Sequence, residues 1–127
     1  MASKSHKDLV VWQKSMDLVE VCYSIIALLP PIERYNLVSQ ISRSSVSIPS
    51  NIAEGYKRHS RNEYIYFCGI AAGSAAELET QLLIIQRLYK DTVSVETALD
   101  TLTEVQKMLY ALTRRLKATP YTLNPNP

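Results

Sequence analysis

Glycine, cysteine and histidine are all scarce in this sequence, and each scarcity closes off a class of protein. Three glycines in 127 residues leave no glycine-rich phosphate loop. The two cysteines, Cys22 and Cys68, stand apart in apolar surroundings. They form no CxxC pair and have no histidine at ligand spacing, so they read as small hydrophobes of a core rather than redox or metal groups. The two histidines are His6 and His59, and neither follows a glutamate by three residues. The Glu-x-x-His pairs of carboxylate-bridged metal bundles are therefore missing, although Glu54, Glu77 and Glu79 would supply acids. No serine sits in a recognisable nucleophile elbow. No apolar run approaches the roughly 20 residues that cross a bilayer. The opening MASKSHKDLVVWQKS lacks the apolar stretch and cleavage site of a secretory signal. The expectation is a cytoplasmic chain with no metal, no cofactor, no membrane partner and no catalytic residues, hence not an enzyme.

What is present is helical periodicity. Apolar residues make up 46% of the chain, and one domain of this size can bury a core. Leu9, Trp12, Met16, Val19, Tyr23 and Ile26 recur at spacings of three and four, predicting a helix over about 7–29 with that stripe facing inward. Pro30 and Pro31 stop it. Val38, Ile41, Ser45, Ile48 and Ile52 predict a second helix over about 33–56. A third starts at Ser60, where Ser60-Arg61-Asn62-Glu63 fits a capping box, and runs to about Asp91. Its inward residues are Tyr64, Phe67, Ala71, Ser74 or Ala75, Leu78, Leu82, Ile85 and Leu88 or Tyr89. Val95, Leu99, Leu102, Val105, Leu109, Leu112 and Leu116 predict a fourth, ending near Lys117. Short links make successive helices antiparallel neighbours. The expectation is an all-α, antiparallel up-down-up-down four-helix bundle, one domain over 1–119, with a flexible Pro/Asn-rich tail at 120–127.

Two stretches stand out. SIPSNIAEG, residues 47–55, places Pro49 inside the second helix, where proline removes a donor and crowds the Ser45 carbonyl, at a cost of about 3 kcal/mol or more. The residue chemistry admits either a kink eased by serine and asparagine side chains or a bend that shapes a groove or subunit contact. GIAAGSAAE, residues 69–77, is small throughout and reads as the tightest helix crossing, which Ala72→Leu would overpack.

Net charge is +2, from 14 basic and 12 acidic residues, too balanced to imply nucleic-acid binding by itself. Local clustering is another matter. Lys57, Arg58, His59 and Arg61 gather at the second link, and Arg114, Arg115 and Lys117 at the end of the fourth helix. Antiparallel packing brings these to one end, where Lys4 and Lys7 join them. Lys57, Arg58, Arg61, Arg114, Arg115 and Lys117 are the candidate phosphate contacts, with Tyr56 and Tyr64 placed to stack on unpaired bases. The alternative is that these charges only solvate a loop and a helix end. Val10, Val11, Ile25, Leu83 and Ile84 are apolar beyond what one stripe per helix needs, which points to partner surfaces.

DLVVWQKSMDLVEVCY, SIPSNIAEG and FCGIAAGSAAELETQL together resemble a bacterial four-helix-bundle family, the 23S rRNA-intervening-sequence proteins, over about 7–117. The resemblance implies a left-handed antiparallel bundle, similar in fold to the accessory variability proteins of diversity-generating retroelements. Those relatives form homopentameric barrels and bind nucleic acid and a reverse transcriptase. A homo-oligomer, a pentamer by this likeness, is therefore expected. RNA or other nucleic acid is the expected partner. A protein-protein scaffold acting through apolar faces is the alternative.

Overall fold

A computed structural model describes residues 5–118; Lys4 and the 120–127 tail lie outside them. Four helices account for nearly all of it: α1 Val10–Ile26, α2 Leu37–Lys57, α3 Arg61–Tyr89 and α4 Glu96–Ala118. Single 3₁₀ turns at His6–Asp8 and Pro31–Glu33 precede α1 and α2. Each helix packs against its two neighbours in the order α1–α2–α3–α4–α1, and α2 with α3 shares the most extensive interface. Between α2 and α3 the cross-helix contacts run in opposite directions. Ser44 meets Gln81 and Ser47 meets Ser74, as antiparallel packing requires. The fold is the all-α bundle that the periodicity predicts.

The core is a column of fully buried aliphatics, among them Leu18, Ile41, Ile48, Ile52, Leu78, Leu82, Ile85 and Val105. The stripes predicted for α2 and α4 largely lie inside it, with Val38, Leu99 and Leu116 at its edge. In α1 the phase differs. Val11, Ser15, Leu18, Cys22 and Ile25 face inward, whereas Met16 and Tyr23 are exposed and Trp12 only partly covered. Two apolar rows run along this helix about one residue apart. The row with the continuous apolar pattern is the outer one, because Ser15 interrupts the inner. Ser15 is accommodated by donating its hydroxyl to the Trp12 carbonyl at 2.8 Å, so the polar atom needs no water. Of the apolar residues read as surplus, Val10, Leu83 and Ile84 are exposed, but Val11 and Ile25 belong to the core.

The helix starts differ from the predicted ones in a common way. A 3₁₀ turn, not α-helix, covers His6–Asp8 and Pro31–Glu33. Ser5 caps the first by accepting from the Lys7 N–H. Glu33, buried in the second, accepts hydrogen bonds from the Tyr89 hydroxyl and the Asn36 amide, tying the α1–α2 link to the end of α3. The same contact raises the Tyr89 pKa, chiefly through its hydrogen bond to the Glu33 carboxylate. Ser60 caps α3 by accepting from the Glu63 N–H at 3.0 Å.

Pro49 is buried within an unbroken α2. Around it the side chains take up backbone carbonyls: Ser50 donates to Val46 O at 2.8 Å, and Asn51 to Ser47 O at 2.8 Å and Ser47 Oγ at 2.9 Å. These bonds fall on the carbonyls of Val46 and Ser47 rather than on that of Ser45, whose donor Pro49 removes, and Pro49 itself lines a surface trough with Trp12, Met16, Val19, Val46 and Ala53.

GIAAGSAAE is not one packed face. Ala71, Ser74 and Ala75 are buried, but a methyl group added at Gly69 or Gly73 would meet nothing within 4 Å, and Ala72 is exposed. The outer half of the segment borders open space, so Ala72→Leu has nothing to overpack. The close approach occurs at Gly55 instead. There a Cβ would lie 2.9 Å from Phe67 Cβ and 3.3 Å from the Tyr64 carbonyl oxygen. Helix α3 is also long and apolar enough to cross a membrane by length and composition alone, but its apolar row of Leu78, Leu82 and Ile85 is spent on the bundle core.

Candidate nucleic-acid interface

The end of the bundle that carries the α2–α3 link and the C-terminus of α4 gathers all six basic candidates, but they point in three directions. Arg58 is ion-paired, with its side chain 41% exposed. Its guanidinium pairs with Glu54 one turn back at 2.8 Å and with Glu63 across the link at 3.6 Å, and lies 4.8 Å from the centre of the Phe67 ring. Two carboxylates and an aromatic face make Arg58 a clamp between α2 and α3, with its charge offset. Lys57 beside it is exposed, and Arg61 opens α3 half-buried. Arg115 turns toward α1, where it lines a small recess with Leu9, Val10, Val11, Met108, Ala111 and Leu112. Arg114 and Lys117 face the other way, onto a groove between α3 and α4.

That groove has a volume of about 520 Å³. Its floor is Cys68, Gly69, Ala72 and Leu109; its α4 wall is Gln106, Tyr110, Thr113, Arg114 and Lys117. The wall residues recur at three- and four-residue spacing, which puts them on one helix face. The Tyr110 ring is 67% exposed, and the Arg114 guanidinium sits 5.9 Å from its centre. Gln106 donates to the Glu79 carboxylate at 3.1 Å across the helix pair. Thr113 hydrogen-bonds the Cys68 thiol, which lowers that thiol's pKa, but burial outweighs this and holds it up at about 11. Burial pushes the Cys22 thiol to about 12. Both cysteines are therefore protonated packing groups at neutral pH.

The aromatic residues differ from expectation. Tyr64 is 4% exposed, packed edge-on against Tyr56 with ring centres 6.1 Å apart, and burial raises its pKa, with Cys68 and Tyr56 adding to the effect and Arg115 opposing it. It belongs to the core and cannot stack on a base. Tyr56 is partly buried against the same cluster. Among the described residues, the exposed tyrosines at this end are Tyr110 and Tyr66, neither singled out by the sequence reading. The signal was there: Tyr110, Arg114 and Lys117 follow the same i, i+4, i+7 rhythm as the core stripes. Exposed and buried rows look alike until the bundle sets their phase.

Elsewhere, a polar cleft of about 470 Å³ between α2 and α3 is lined by Gln40, Arg43, Ser44, Ser47, Ser74, Glu77 and Gln81. Among the described residues no three of histidine, cysteine, aspartate and glutamate gather as a metal would require. Glu54 is paired with Arg58 and Glu79 with Gln106.

The 23S rRNA-intervening sequence protein model matches residues 7–111. The chain belongs to that family. Among solved structures it is similar to a protein of unknown function from the S23 ribosomal protein family of Bacteroides thetaiotaomicron. The two share 27% identity and a TM-score of 0.75 over 83% of this chain and 99% of the other. No curated protein matches the chain.

Proposed function

We propose that this intervening-sequence protein is a non-enzymatic binding protein that takes RNA at the basic end of its bundle. One observation carries the reading: Arg114 and Lys117 stand beside an exposed tyrosine on the rim of an open groove, with Lys57 exposed at the same end. Phosphates would be held by the cations and a base by the aromatic face. Arg58 contributes by joining α2 to α3 rather than by touching phosphate, because Glu54 and Glu63 already occupy it. The informative charge reversals are therefore Lys57→Glu and Arg114→Glu. Fluorescence anisotropy of a labelled structured RNA, titrated from low to physiological salt, tests the reading. Affinity should fall with salt by a logarithmic slope of about 0.7–0.9 per phosphate contacted, and the double reversal should weaken binding at least tenfold. Binding indifferent to salt and to both reversals would overturn it.

A second reading concerns assembly. The trough on the α1–α2 face, about 370 Å³, is lined by Trp12, Met16, Val19, Val46, Pro49, Ser50 and Ala53. Exposed apolar surface of this kind marks partner contacts. It favours a homo-oligomer, five-fold by the family likeness, or a scaffold that holds another protein on the same face.

A further inference from the structure

We infer that the groove between α3 and α4 is a receptor for a single unpaired nucleotide of a single-stranded nucleic acid, rather than a platform for duplex. The inference rests on the RNA-binding reading and specifies it. Glycine is the poorest helix former after proline, yet Gly69 sits on the solvent side of α3 with nothing within 4 Å of where a side chain would begin. No helix packs there to require it. What the absent side chain at Gly69 and the single methyl of Ala72 do leave is room: an open groove lined also by the apolar Cys68 and Leu109.

The groove has the three components that an unpaired base needs. Tyr110 supplies an exposed ring at its edge, and a base has a π-face whatever its identity. Arg114, within 5.9 Å of that ring, and Lys117 one turn further along α4 supply cations for the flanking phosphates. Gln106 and Thr113 line the same wall; the Gln106 amide already donates to Glu79 and Thr113 bonds the Cys68 thiol, so it is their remaining hydrogen-bonding capacity that serves the base edge or sugar. Access to a base face decides between paired and unpaired substrate. A base inside a duplex presents only its edge in a groove, so it cannot lie against Tyr110 over the floor at Gly69. A base freed from its pair can. Tyr66, exposed and one helical turn before Gly69, extends the same face of α3 for a neighbouring base.

The test separates this groove from the broader reading. Gly69→Leu fills the groove with a strong helix former at a position free of clashes, so the bundle is retained; circular-dichroism melting confirms that. Anisotropy is measured on the full chain with a fluorescein-labelled oligouridylate, the deoxyribonucleotide of matching length and a blunt-ended, fully paired RNA duplex without a loop. The single strand is expected to bind at least tenfold tighter than the duplex. Gly69→Leu and Tyr110→Leu should each weaken the single strand about tenfold, the loss of one stacked base, and leave the duplex unchanged. The oligodeoxyribonucleotide arm shows whether the sugar hydroxyl contributes. Two outcomes overturn the groove while sparing the RNA reading: single strand and duplex bound alike, or single-strand binding lost with Lys57→Glu but untouched by Gly69→Leu. Absence of binding to all three probes at low salt overturns both.

Discussion

Glycine shows most plainly how one residue type takes opposite meanings in this bundle. Gly55 lies where α2 and α3 come closest, and a Cβ there would sit 2.9 Å from Phe67 Cβ and 3.1 Å from the Tyr64 ring. Both neighbours are constrained, Tyr64 by burial and Phe67 by the Arg58 guanidinium stacked on it. Gly55→Ala should therefore destabilise by about 1–3 kcal/mol through overpacking, despite alanine's better helix propensity. Gly73→Ala meets open space and should stabilise by about 1 kcal/mol, from reduced freedom of the unfolded chain and better helix formation. Thermal melting of the two variants should shift in opposite directions. A common direction would show that propensity or packing alone governs both sites. The sequence held both glycines equally visible, but which one touches a neighbour depends on the rotation of two helices about each other.

At the level of the element, α2 is the unusual helix, because it brings polar groups to the largest interface in the molecule. Ser44 is 5% exposed and Gln81 9%, and the Ser44 hydroxyl donates to Gln81 Oε1 at 2.7 Å. The Ser47 and Ser74 hydroxyls pair at 2.8 Å beside them. Such groups stabilise only while paired. Ser44→Ala would leave the Gln81 carbonyl oxygen without its donor, at a cost of about 1–3 kcal/mol. Gln81→Leu in the same chain should recover much of that, because both ends of the bond are then apolar. Chemical denaturation of the single and double variants measures the coupling, and additive losses would mean the two side chains act independently. The serines of α2 were legible as helix residues from their spacing, and Ser45 even as an inward one. Their partners were not, since the cross-helix bonds join residues separated by 27 and 37 positions.

For the whole molecule, the outer row of α1 matters most. Met16 is 39% exposed and Val46 40%, and together with Trp12 and Pro49 they form a continuous apolar trough on one flank of the bundle. If further copies of this chain cover it, sedimentation velocity should give a species several times the monomer mass at micromolar concentration. Met16→Glu, a charge in the trough away from the core, should yield a folded monomer with an unchanged helical spectrum. A wild-type monomer across that range would remove the assembly reading. The trough is separate from the α3–α4 groove, so loss of assembly and loss of nucleic-acid binding are independently observable.

The sequence by itself determined the four helices, three of the four inward faces, the Ser60 cap and the gathering of basic residues at one end. Those features are written in spacings of three and four and in local capping chemistry, which need no distant partner. The tertiary structure alone decided which of two apolar rows of α1 is core, because both satisfy the same period and only docking against α2 and α4 breaks the tie. It decided likewise that Arg58 pairs with Glu54 and Glu63, that Tyr64 is inside and Tyr110 outside, and that Gly69 lines a groove. Each of those depends on helix rotation and on contacts between residues far apart in the chain, which a one-dimensional pattern does not encode.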